Sequence, residues 1–313
     1  MGETTGIAWT DHTWNPWMGC QRVSPGCAAC YAETLVTGRM GLPVWGPPST
    51  TARKRTSTEN WKNPGRWHRA ALRAGVRRRV FVASLADVFE DHPDLVPWRA
   101  EALAILAQCT ALDVQLLTKR PENVRRMVPA SWLENWPAHI WIGCTVEDQR
   151  RADERIPELL KVPAAVRFLS CEPLLEAVDL SRWLVSGVVC PECDGYGEDV
   201  STGETCERCS SGVGPGERVS WVIVGGESGP DARRFDLGWA ESVLRQCRDS
   251  GTPTFVKQLG TRPTGGVWRG RVPHERDHPA HRGVWVLRHP SGADPSEWPE
   301  GLRVQQFPEV PRG

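Results

Sequence analysis

Apolar residues gather along the chain in short runs rich in β-branched and aromatic side chains. Val80–Ser84, Val114–Thr118, Ile140–Cys144, Val166–Ser170, Trp221–Gly225 and Thr254–Lys257 read as buried strands. Between them lie stretches with helical spacing. Asp94–Cys109 repeats Leu95, Trp98, Ala102, Leu103, Ile105 and Leu106. Glu147–Leu160 is amphipathic, with opposite charges four residues apart. Asp236–Ser250 stops at Gly251, a residue suited to closing a helix. Strands alternating with helices predict an α/β fold with a parallel sheet, open or closed into a barrel. Each strand runs at once into polar or special residues: Ser84 and Asp87, Lys119, Glu147, Glu172, Gly225-Gly226-Glu227, and Gln258. Ligands in such folds sit beyond the carboxyl ends of the strands, so the candidate chemistry falls on one rim.

Two segments break the rhythm. Residues 188–218 are rich in Gly and poor in apolar residues, and read as a small module inserted between a helix and a strand. Residues 261–313 are rich in Pro, Gly, His and Arg, and read as a weakly structured C-terminal extension. The expected division is a core of residues 1–187 and 219–260, the insert 188–218, and the extension 261–313. The histidines at 274, 278 and 281 are too loosely spaced to read as a built metal site.

Composition narrows the class. With 313 residues the chain fits one large domain or two smaller ones, and 40% hydrophobic residues exclude disorder as its main state. Lys+Arg 38 against Asp+Glu 38 excludes binding driven by global positive charge. No apolar run approaches the ~20 residues of a membrane span, and the N-terminus lacks the pattern of a secretory leader, so the expectation is a cytoplasmic protein with no membrane contact. Charge is uneven, however. Between Arg53 and Arg79 there are ten Lys and Arg residues against the single acid Glu59. Arg53, Lys54, Arg55, Lys62 and Arg66, with Trp61 and Trp67, are therefore candidates to follow a phosphate backbone and stack on bases. The plainer reading is a solvated basic helix and loop.

Eleven cysteines are many for such a chain. Reduced compartments favour metal over disulfides. Cys190-x2-Cys193-x12-Cys206-x2-Cys209 has the two knuckles of a tetrathiolate Zn2+ site, of zinc-ribbon type. Cys20-x6-Cys27-x2-Cys30 offers three thiols. They suit a zinc site completed by a fourth ligand such as His12, an iron–sulfur cluster with one iron left open, or plain reduced cysteines. Cys109, Cys144, Cys171 and Cys247 read as core residues. A carboxylate ending a buried strand, such as Glu227, Glu172 or Glu147, is costly unless paired or functional. Asp87 suits either a ligand hydroxyl or a helix N-cap.

A resemblance bears on these alternatives. Thr5-Gly-Ile-Ala-Trp-Thr-Asp11, Thr13-Trp-Asn-Pro16, Gly19-Cys20, Val23-Ser-Pro-Gly-Cys27, Cys30-Tyr-Ala32, Leu117-Thr-Lys-Arg-Pro121, Ser170-Cys-Glu-Pro-Leu-Leu175, Trp221-Val-Ile-Val-Gly-Gly-Glu-Ser-Gly229 and Lys257-Gln258 resemble a phage- and prophage-associated three-cysteine-motif family of uncharacterised proteins. The resemblance runs over roughly residues 4–260. That family in turn resembles radical S-adenosyl-L-methionine (radical SAM) enzymes, in particular the spore photoproduct lyase-like branch. The common motif of those enzymes is Cys-x3-Cys-x2-Cys; here the first gap is longer, and Tyr31 follows the last cysteine.

What the resemblance implies is a partial, open parallel α/β barrel of radical-SAM type. It implies a [4Fe-4S] cluster on Cys20, Cys27 and Cys30, whose open iron takes S-adenosyl-L-methionine and yields a 5′-deoxyadenosyl radical. It implies Lys119 on the methionyl carboxylate, with Ser84, Gly225 and Gly226 in cofactor binding, and Asp87, Glu172 and Glu227 as candidate catalytic residues. A nucleic-acid base or nucleoside is the expected substrate, with DNA as the possible carrier, and an electron donor and a separately encoded protein are expected partners. The alternative is a zinc-stabilised nucleic-acid-binding phage accessory protein without catalysis.

Overall fold

Each of the apolar runs overlaps a strand of a single sheet, with Ala83, Ser84 and Val166 falling just outside the strands. The structure is a computed structural model, and it describes residues 5–184, 218–265 and 287–309. The sheet has seven strands: β1 (His12–Trp14), β2 (Arg78–Val82), β3 (Leu112–Thr118), β4 (Ile140–Thr145), β5 (Arg167–Cys171), β6 (Trp221–Gly225) and β7 (Thr254–Gln258). They lie side by side in chain order, all parallel. The sheet curls into half a barrel.

A parallel neighbour is reached only by a crossover over one face, and crossovers of constant hand keep the connecting helices on that face. The longer helices are α1 (Asn63–Ala74), α2 (Leu95–Gln108), α3 (Gln149–Leu160) and α4 (Leu237–Ser250). Ala71, Leu103, Ile156 and Leu244 from these helices share one apolar cluster with Val80, Val114, Ile142, Leu169, Val222 and Val256 of the strands. The alternate strand residues point the other way. Phe81, Trp141, Phe168, Trp221 and Phe255 join Trp9 in a second cluster on the concave face. Gly143 makes room there, since a Cβ on it would stand 2.5 Å from the Phe168 ring. Aromatic side chains thus fill the inside of the half-barrel.

Helix ends follow the expected chemistry. The Asp148 carboxylate caps α3 by accepting from the Arg151 N–H at 2.7 Å, and Asp236 caps α4 by accepting from Gly238 N–H at 2.8 Å. Gly251, in the left-handed region at φ 69°, closes α4. No helix among the described residues is long and apolar enough to cross a membrane.

Two features depart from the sequence reading. β1 is a strand that no apolar run announced; it holds only His12, Thr13 and Trp14, and its pairing with β2 buries Trp14 completely. The C-terminal extension is not weakly structured over 287–309. Trp298 and Leu302 are fully buried there. Val256 donates its N–H to Val304 O at 2.8 Å, and Gln306 donates to Thr254 O at 2.9 Å. Phe307 lies against Phe255 and Trp221, with ring centroids 5.3 and 5.6 Å away. A few buried anchors hold this strap, and such single anchors leave no periodic pattern to read. The expected insert at 188–218, with Cys190, Cys193, Cys206 and Cys209, lies outside the described residues except for Arg218, and so do the three histidines of the extension.

Candidate functional site

With one face under helices and the concave face filled by aromatics, the open space lies at the carboxyl ends of the strands. A cavity of about 410 Å³ is found there. Its floor includes Trp9, Phe81 and Leu117. Its wall collects Ser84 and Asp87 after β2, Lys119 and Arg120 after β3, Thr145 of β4, Ser170 and Glu172 at β5, Gly226 and Glu227 after β6, and Lys257 and Gln258 of β7. Cys20, Cys27 and Cys30 all open onto the same space. Of the strand-end residues expected on one rim, all but Glu147 and Gly225 line this one cavity.

The cysteines sit on a loop that crosses the rim. Gly19 starts it at φ 111°, where a Cβ would meet Val44 O at 2.4 Å, so only glycine passes. Gly19 N–H bonds Leu85 O at 3.0 Å, fixing the loop to the end of β2. A single turn, Pro25–Cys27, turns Cys27 inward, and Cys30 precedes the short helix Tyr31–Glu33. Tyr31 donates its hydroxyl to Ser84 O at 2.7 Å. Ala83, just before Ser84, holds the left-handed φ of 63°, a conformation that costs an alanine about 1 kcal/mol. Cost of this kind concentrates at functional sites.

Three acid–arginine pairs grip this loop. Asp87 is buried, and it accepts from the Thr118 hydroxyl (2.7 Å), Phe89 N–H (3.0 Å), Lys119 N–H (3.1 Å) and Arg120 Nη1 (2.7 Å). Arg120 carries on to Gln21 O at 2.8 Å and to the Cys20 sulfur at 3.7 Å. Glu147, wholly buried, accepts from Arg155 Nη1 at 2.7 Å and from Gly26 N–H at 3.3 Å. Glu227 accepts from Arg233 Nε at 2.9 Å and from its Nη2, while Arg233 Nη1 donates to Pro25 O at 2.9 Å. Asp87 lines the cavity, but these four bonds occupy the acceptor positions of its carboxylate and give it a structural task at the rim. Glu227 is likewise engaged by arginine. Glu172 remains on the wall, paired with Lys257 Nζ at 2.5 Å.

Charge balance singles out Lys119. Arg120, Arg155, Arg233 and Lys257 each face a carboxylate. Among the described residues Lys119 has no ion pair, and its Nζ donates only to Thr145 Oγ1 at 3.3 Å. Glu147 feels its charge from a distance, but an ammonium with no acid in ion-pair contact at the wall of a cavity suits an anionic group on a ligand. The glycines do another job: Gly226 lets β6 and β7 ends approach, since a Cβ would stand 2.8 Å from Leu259 O, whereas Gly225 sits behind Glu172 and does not line the space. Ser84 Oγ accepts from Asn15 Nδ2 at 3.0 Å.

Burial pushes the Cys20 thiol up to about 12, with Arg120 opposing and Asp87 and Glu90 adding to the rise. Burial also raises Cys30, against the Glu33 N–H and Lys119. Burial alone would raise Asp87 and Glu147; the Arg120 charge together with the hydrogen bonds from Thr118, Lys119 and Phe89 outweighs it at Asp87, and Arg155, Lys119 and hydrogen bonding together outweigh it at Glu147, so both stay below the usual carboxylate range. Cys144, Cys171 and Cys247 are buried in the core as expected, behind the site.

The basic segment is folded differently from the expected strand-binding surface. The Arg53 side chain is wholly buried, bidentate on Glu90 at 2.8 and 2.9 Å, and bonded to the carbonyls of Val44, Gly46 and Thr51. Trp61 is buried and donates its indole N–H to Pro16 O at 3.0 Å; Trp67 is buried under His12. None of the three is offered to a base or phosphate. Lys54 pairs its backbone with Met18, Arg55 covers the Trp61 ring and binds Glu101, and Lys62 and Arg66 both face Glu59. Amphipathic packing of α1 took Trp67 inside, and Trp61 is buried at the end of the short helix Thr58–Trp61 before it.

Sequence reasoning missed Arg120, Arg155 and Arg233, the counter-charges of the loop, and Lys257, the partner of Glu172. A signal existed: each strand-end acid demands a cation, and none was sought.

Fold and site define an α/β half-barrel with a three-cysteine loop laid across its carboxyl rim. The chain belongs to the family described as "Protein of unknown function (DUF5131)", whose profile matches residues 4–283. No curated protein matches it. Among solved structures, a mutant of spore photoproduct lyase is similar over 92% of this chain and 73% of that one, at 12% identity and a TM-score of 0.44. At that level the likeness says nothing of what this chain binds or does.

Proposed function

We propose that this protein is a radical S-adenosyl-L-methionine enzyme of the phage-associated three-cysteine family, acting in the cytoplasm on a nucleic-acid base or nucleoside. The observation that carries the reading is the meeting of three free thiols and the unpaired Lys119 ammonium on one cavity. The donor set fits the group. Three cysteines leave one iron of a [4Fe-4S] cluster for a small molecule. A single zinc ion, with Zn–S near 2.3 Å, needs its sulfurs almost in contact. Among the described residues no three of His, Cys, Asp and Glu stand grouped to hold a metal ion as they lie, so the three thiols would draw together around whichever group they bind.

Cys20, Cys27 and Cys30 would hold the cluster. Once bound and reduced, it supplies the electron that splits S-adenosyl-L-methionine into methionine and a 5′-deoxyadenosyl radical, which takes hydrogen from substrate. The chain's own residues bind and orient. Lys119 neutralises the methionyl carboxylate. Glu172 and Lys257 offer an acceptor and a donor to the polar groups of a ligand at the opposite wall. Trp9, Phe81 and Leu117 exclude water from below. Arg120, held by Asp87, keeps Cys20 at the rim. An external electron donor is required, and the sequence pattern at Cys190, Cys193, Cys206 and Cys209 adds a structural Zn2+.

The binding-protein alternative loses its main support, since Arg53, Trp61 and Trp67 are interior. The test is anaerobic reconstitution followed by iron, sulfide and zinc analysis, then addition of S-adenosyl-L-methionine and dithionite. About four irons and sulfides with released 5′-deoxyadenosine support the proposal. Zinc bound by Cys20, Cys27 and Cys30, without sulfide, sinks it.

A further inference from the structure

The turn that carries Cys27 is attached to the barrel by a residue that does not line the cavity. Glu147 lies behind β4, wholly buried. One carboxylate oxygen accepts from Gly26 N–H at 3.3 Å and the other from Arg155 Nη1 at 2.7 Å. The Ser24 side chain lies close enough to this carboxylate to help hold it ionised. Ser24 Oγ in turn stands 3.9 Å from the Cys27 sulfur. Arg155 is itself fixed, donating to Thr145 O at 2.8 Å. The end of β4, helix α3 and the cysteine turn are thus joined through one carboxylate. Contact there is tight: a Cβ on Gly26 would stand 3.0 Å from the Glu147 carboxyl carbon.

We propose that Glu147 is a positioning residue for Cys27, fixing the Ser24–Cys27 turn so that this thiol opens on the cavity, without touching any ligand held there. Each oxygen serves its own donor, Gly26 N–H on one and Arg155 Nη1 on the other. Glutamine keeps the shape but offers one oxygen, so it cannot hold both Arg155 and the turn. The supporting shell of a site fixes its geometry in this way without entering the chemistry. What Cys27 holds rests on the radical-enzyme reading; the positioning itself does not.

The test is alkylation of the metal-free, full-length chain with iodoacetamide, following Cys27 and Cys20 separately by peptide mass spectrometry. Cys20 lies on the same loop, gripped by Arg120, and serves as the internal reference. Glu147→Gln should raise the Cys27-to-Cys20 rate ratio about fivefold, the shift that one lost hydrogen bond supports. Gly26→Ala should do the same while leaving both charges of the pair in place, and it carries the test if E147Q does not fold. Glu154→Gln, on the exposed face of α3, should leave the ratio unchanged. General loosening would raise both rates together. An unchanged ratio in folded E147Q or G26A overturns the proposal, whatever happens to iron uptake. A shifted ratio in a protein whose wild type takes no iron keeps the positioning role and removes the radical-enzyme reading.

Discussion

Asp87→Asn separates a residue that builds the rim from one that touches ligand. In the native site the carboxylate accepts four hydrogen bonds, from Thr118, Phe89, Lys119 and Arg120, at 2.7–3.1 Å. Its side chain and that of Arg120 are only 7% and 9% exposed. Asparagine presents an NH2 where one oxygen stood, turned toward the Lys119 N–H and the Arg120 guanidinium. Two acceptor positions vanish and a buried guanidinium loses its nearest counter-charge, with Glu90 at 3.9 Å as the remaining acid. Removing one member of a buried pair costs about 3–5 kcal/mol. At about 2 °C per kcal/mol for a chain of this size, the melting midpoint should fall by about 6–10 °C. The assay is a thermal melt at pH 7.5 of metal-free protein, followed by tryptophan fluorescence. A fall under about 2 °C, with ligand binding lost all the same, would refute the reasoning and return Asp87 to the ligand.

Lys119→Met should weaken S-adenosyl-L-methionine binding by about tenfold or more, the worth of one charge-assisted hydrogen bond, while leaving the melting point within about 1 °C; equilibrium dialysis and a melt check both. Asp87 and Glu147 titrate below their unfolded values, so their stabilisation is whole above about pH 5 and is lost as pH falls through the lowered folded values; an acid titration by circular dichroism should show a flat plateau and a break below about pH 4. Cys20, pushed up to about 12, is a thiol at neutral pH, so iron uptake must release its proton and should speed up from pH 7 to 9 in a stopped-flow assay. Trp298→Ala should cost about 3–5 kcal/mol in a denaturant series, because this ring is a fully buried anchor of the strap. Cys193→Ala should release zinc and spare the iron chromophore, measured by metal analysis and visible absorption.

The strands were legible because burial on both faces makes a parallel strand an apolar run, as in Trp221–Gly225, where the expected and observed limits agree. The rim was legible for the same reason: polar residues directly after such runs have one place to go. His12–Trp14 was not legible, since a strand of three residues needs no run. The basic segment misled because its charges suggested a surface while α1 turned Trp67 inward; a charge count cannot say which face of a helix packs. Asp87 and Glu227 line the rim, but their arginines stand in irregular segments, Arg120 at 33 residues from Asp87 and Arg233 at six from Glu227, where no periodic pattern announces the pairing. Lys119 is the reverse case, singled out in the structure by having no such partner.

A half-barrel, unlike a closed one, carries two raw margins of unpaired backbone, and such margins invite a second molecule to add its own strand. Here neither is offered. At one margin β1 is cut to three residues, with His12 stacked face to face on Trp67 at 4.4 Å. At the other, residues 304–306 lie along β7 and pair with it through two backbone hydrogen bonds, at Thr254 O and Val256 N–H. The strap therefore acts as a built-in terminator of the sheet, guarding the chain against runaway self-association while leaving the rim open to solvent and ligand.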